Sequence, residues 1–200
     1  MLRRGRGQSG PSGYYSPEGS FGDIVREVWF APGRFFGRLD PGGGVVRPAL
    51  FAAVVLYLNL LLEELLKEVW RLEFNYGLLY AALPGLIVAL VLGPLLVAGL
   101  SALVLTVLDG APSRRKFGPT FRALGYATAI GLVLWIPYAP ILALPYGLYV
   151  ATVAVREALS VSWRRAAAAT LIPLGAVLLI LFLLTGPTEA YGLLVNPPGE

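Results

Sequence analysis

Asn59, Glu63 and Lys67 stand four residues apart in "LNLLLEELLK", so on a helix they share one face. A carboxylate at membrane depth, hydrogen-bonded to the Asn59 amide, is the kind of group that carries an ion or a proton. The same spacing also makes Glu63 and Lys67 an ordinary surface ion pair at a helix end. A second set is basic. "DGAPSRRKFGPTFR", residues 109 to 122, holds Arg114, Arg115, Lys116 and Arg122, and Arg164 and Arg165 follow in "SWRR". These six could attract anionic lipid headgroups at about 1 kcal/mol each, with Phe117 and Phe121 as apolar anchors. They could equally do no more than fix membrane topology.

Other chemistry is sparse. The chain has no cysteine and no histidine, which excludes disulfides, thiolate and imidazole metal ligands, and Ser-His or Cys-His nucleophiles. We assign no catalytic, cofactor-binding or metal-ligating residue, and expect no enzyme. "GGG" after Pro41 lacks the Lys-Ser/Thr of a phosphate loop. Asp109-Gly110 reads as a turn, and Arg156 with Glu157 as a paired or snorkelling helix end. Tyr126, Tyr146 and Tyr149 need hydroxyl partners, for which Thr128 or Thr152 are candidates.

The elements that must position these residues belong in lipid. The 200 residues are 56% hydrophobic and 14% charged, with a mean hydropathy of +0.70, unlike an ordinary soluble domain. Several apolar stretches approach the roughly 20 residues a helix needs to cross a bilayer. The expected fold is all-α, an integral membrane bundle of five transmembrane helices preceded by short interfacial amphipathic helices. The spans begin near Pro48, Leu86, Thr120, Pro140 and Arg164 and end near Leu66, Leu108, Pro137, Val155 and Leu184. The first should project beyond the bilayer as an amphipathic extension, and Pro84-Gly85 should divide the long second apolar run.

Before the spans, residues 1–22 read as a disordered cytoplasmic arm without the apolar core of a signal peptide. Residues 23–46 read as an amphipathic segment and turn, one or two short helices broken at Pro32-Gly33. They either lie in the interface or pack on the bundle. Residues 47–185 form the membrane domain and 186–200 an extracytoplasmic tail. Two small-residue stripes, Gly85/Ala89/Gly93 and Ala123/Ala127/Gly131, suit close helix packing, though neither names a partner.

Lys and Arg settle the expected sidedness. The region through Arg47 has seven, and successive connections have two, four, none and three, with none in the tail. Alternate compartments therefore receive fourteen and two, which places the N terminus inside and the C terminus outside. The net charge of +4 and pI near 9.5 do not imply nucleic acid, because the basic residues are scattered. The bilayer, anionic headgroups, and copies of the chain or other membrane proteins are the expected partners.

Three stretches resemble the Ypt-interacting-protein (Yip) family of polytopic membrane proteins in its prokaryotic form: "FAPGRFFGRLDPGGGVVRPALFAAVV", "FRALGYATAIGLVLWIP" and "YGLYVATVAVREALSVSWRRAAAATLIP". They are similar to the family's pre-helix segment, its entry to the third helix and its fourth-to-fifth junction, over about residues 28 to 185. The resemblance implies five membrane helices with a cytoplasmic N terminus, in a prokaryotic cytoplasmic membrane. The eukaryotic role with prenylated Rab GTPases is not carried over, since the acidic Tyr-Gly-Pro signature is absent. The expected function is a non-enzymatic scaffold or organiser acting through lipid and helix-face contacts; the alternative is a protomer of a small-solute or ion transporter.

Overall fold

The computed structural model describes residues 19–40, 42–71, 82–111, 113–173 and 175–176. Most of the expected N-terminal arm, the loop after the first span, the later part of the fifth span and the tail at 186–200 lie outside the described residues. Among the described residues the structure is helical, with no strand.

Helix α1, Phe21–Phe30, starts two residues inside the stretch expected to be disordered. The cause is local: Ser20 and Asp23 form a reciprocal capping box, which satisfies two otherwise orphan backbone donors. Pro32 cannot continue that helix but suits the first turn of another, so α2, Pro32–Arg38, begins there. Glu27 and Arg38 join the pair at 3.0 Å. Both helices pack on the bundle. Val28, Phe35 and Phe36 are buried, and α1 and α2 contribute to the main core.

Helix α3, Val46–Arg71, has 26 residues, about 39 Å of rise. It outlasts a hydrocarbon layer of about 30 Å. Helix α4, Pro84–Asp109, starts at the proline expected to divide the second apolar run, contains Pro94, and stops at Gly110 in a left-handed conformation. Helix α5, Arg114–Ala127, passes into a 3-10 segment, Thr128–Val133. Here the structure differs from the expectation, which began this span near Thr120. Arg114, Arg115 and Lys116 form the first helical turn rather than a loop. Helix α6, Ala139–Leu159, follows a short turn through Tyr138, and a further helix, α7, occupies 163–173.

Three of these helices, α3 over Val46–Val69, α4 and α6, are long and apolar enough to cross a membrane. The third expected span is instead a 14-residue helix continued by the 3-10 segment, and the fifth is described only through 176. Helix α3 is central, packing against α4, α5 and the 3-10 segment. A Cβ on Gly93 would stand 2.9 Å from the Ala53 Cα, and one on Gly125 would stand 2.8 Å from the Pro48 Cβ. Both neighbours thus approach α3 at backbone distance. Phe35, Phe51 and Tyr126 stack edge-on at 5.4 to 5.5 Å and tie α2, α3 and α5 together. Ile87, Val91, Leu95, Ile141 and Leu142 point outward, as lipid-facing side chains do.

Candidate functional site

Two regions gather the residues that the sequence singled out. The first is the end of the bundle where α4 stops and α5 and α7 start. Arg114 and Arg115 are exposed on the first turn of α5, and Arg164 and Arg165 are exposed on the first turn of α7. The Arg165 guanidinium donates to the Leu108 carbonyl at 3.4 Å, which brings α7 against the last turn of α4. Lys116 reaches Asp109 across the connection at 2.9 Å, so Asp109 neutralises one cation as well as turning the chain. Cations on the first turn of a helix oppose its macrodipole, whose N-terminal end is already positive. That arrangement costs a few tenths of a kcal/mol per residue unless an anion offsets it.

Arg122 does not join that surface. Its residue is 4% exposed, and its guanidinium donates to the Asp40 carbonyl and packs beside Gly43 in the turn between α2 and α3. Arg122 and Asp40, together with Glu157 and Ser160 at the end of α6, line a polar recess of about 240 Å³. Along the sequence, Asp40 reads as part of a turn, Arg122 as one of six candidate lipid contacts or topology signals, and Glu157 as the companion of Arg156, which it meets at 3.7 Å. Their convergence depends on three elements folding together. The only trace in the sequence is the glycine run that leaves room for the guanidinium.

The second region is a lateral cleft of about 500 Å³ bounded by α3, α4, the 3-10 segment and α6, with Thr170 of α7 in its wall. Asn59 and Glu63 both line it but are not joined. The Asn59 amide donates to the Gly131 carbonyl and, at 3.3 Å, to the Val55 carbonyl. Glu63 instead meets Lys67 at 2.9 Å, and Lys67 also holds Glu64 at 2.8 Å. The Glu63 side chain is 51% exposed.

The 3-10 segment explains why Asn59 faces as it does. Its i→i+3 bonds have poorer geometry than those of a regular helix, so its carbonyls take additional donors. Side chains from two other elements supply them: Trp29 of α1 donates its indole N–H to the Ala129 carbonyl at 3.0 Å, and Asn59 of α3 serves Gly131. Thr128 caps the Gly125 carbonyl at 2.6 Å. Tyr146 donates to the Trp29 carbonyl. The threonines expected to partner the tyrosines are thus engaged elsewhere: Thr128 with Gly125, and Thr152 with Thr170 at 2.8 Å. The partner of Tyr146 lies 117 residues away in the chain, beyond the reach of a local pattern.

Comparison with known proteins gives one family. The model described as the Yip1 domain matches residues 26–185. No curated protein and no solved structure matches the chain.

Proposed function

The chain belongs to the Yip1 domain family, and from that premise we propose that this integral membrane protein is a non-enzymatic organiser that gathers anionic lipids at one end of its bundle. The observation that carries the proposal is the clustering of four exposed arginines, Arg114, Arg115, Arg164 and Arg165, around the last turn of α4. All four sit on helix starts, two on α5 and two on α7, where positive charge is unfavourable without an anion. The positive-inside rule assigns this end to the cytoplasm, where anionic headgroups are concentrated. The outward apolar faces of α4 and α6 would meet lipid, further copies or other membrane proteins.

The test is lipid capture by the protein in nanodiscs of mixed phosphatidylcholine and phosphatidylglycerol. Neutralising Arg114 and Arg115 to Gln removes about 2 kcal/mol of headgroup attraction, roughly a thirtyfold fall in preference for the anionic lipid. The wild-type preference should also weaken with salt. A preference that survives both changes would falsify the proposal.

One observation favours transport as a second reading. A span whose regular helix gives way beside a cavity is how many transporters build a site near the membrane midplane, and α5 passes into the 3-10 segment Thr128–Val133 beside the cleft. On that reading, proteoliposomes show solute or ion flux that Glu63→Gln reduces. Absence of flux in both proteins removes it.

A further inference from the structure

We infer that the lateral cleft holds one acyl chain of a membrane phospholipid, with the headgroup end at the Glu63–Lys67 pair. Three observations lead there, none of which involves the basic end of the bundle.

The first is size. Along α3 the cleft runs from Ala52 to Glu63, eleven residue steps or about 16 Å of helix. One leaflet of a hydrocarbon core about 30 Å thick has a depth of about 15 Å. The volume of about 500 Å³ lies inside the usual range for a small-molecule site.

The second is polarity. The side-chain donors in the wall are already engaged within the protein. Asn59 gives its amide to Val55 and Gly131, Thr128 gives its hydroxyl to Gly125, and Thr170 bonds to Thr152 and to its own helix. A polar solute would have to displace these bonds at membrane depth. A hydrocarbon chain displaces none of them.

The third is position. The cleft opens between helices whose outer faces are Leu, Ile and Val, so the medium at its mouth is lipid. The charged groups lie at one end of it, on Glu63 and Lys67, where a zwitterionic headgroup finds both signs of charge.

The full chain in phosphatidylcholine nanodiscs, doped with phosphatidylcholine carrying a photoreactive diazirine in one acyl chain, gives the test. The expected map has labels on the half-buried Leu56, Leu60 and Leu148 in the cleft, at yields matching those on the exposed Ile87, Val91 and Ile141. Leu60→Trp fills the cleft, so those labels are lost while perimeter labels remain. A wild-type map confined to the perimeter overturns the inference without any variant. So do cleft labels that persist in a folded Leu60→Trp, or cleft cross-links to a second copy of the chain.

Discussion

A single carboxylate caps the first described helix. Asp23 accepts from the side chain and the backbone N–H of Ser20, and these bonds hold its carboxyl below the usual carboxylate value of 3.8. A depressed carboxyl contributes stability above its unfolded pKa and loses it as pH falls through the folded value. The cap on α1 should therefore loosen only in strong acid. Thermal unfolding in detergent should show a larger acid-induced fall for the wild type than for Ser20→Ala, whose cap is already broken. Equal falls would mean the box does not couple to folding. At the same scale, Arg122 shows the limit of reading charge along a chain. It looked like one more member of a basic cluster, yet it is buried in the turn at Asp40, which no residue within its own helix reveals.

The elements divide between those specified locally and those specified by contact. Prolines announced the starts of α2, α4 and α6, because a residue without an N–H suits a helix opening. The 3-10 segment carried no such mark; its carbonyls are stabilised by Trp29 and Asn59 from other helices. The small-residue stripes were legible as packing faces, but their shared neighbour, α3, was not. Gly93 and Gly99, on one helix, test that contact. A Cβ at Gly93 strikes the α3 backbone, whereas at Gly99 nothing lies within 4 Å. Gly93→Ala should cost about 1 to 3 kcal/mol through overpacking. Gly99→Ala should be neutral or stabilising by up to about 1 kcal/mol through helix propensity. Thermal unfolding of the two variants in one detergent separates them, and similar melting points would sink the close-packing account.

For the whole molecule, sidedness is the property on which the functional proposal depends. The chain has no cysteine, so introduced ones report without background. Arg115→Cys and Arg164→Cys should react with a membrane-impermeant maleimide only after cells are opened. Tyr138→Cys, on the 84% exposed turn before α6, should react in intact cells. Labelling of all three from the same side would refute the alternation of charge as a topology signal.

Hydropathy and backbone chemistry are properties of short segments, so the sequence by itself determined that the chain lives in lipid, that it is helical, and where several helices start. It also carried enough of the Yip pattern for the family to be recognised. What the tertiary structure decided were contacts between residues far apart in the chain: Asn59 with Gly131 at 72 residues, Arg122 with Asp40 at 82, Trp29 with Ala129 at 100. Those contacts bury one arginine, give two carbonyls of the 3-10 segment side-chain partners and leave a cleft beside it. Such outcomes depend on which helices become neighbours, and in a medium as apolar as their own surfaces that choice is made by close fit and hydrogen bonding.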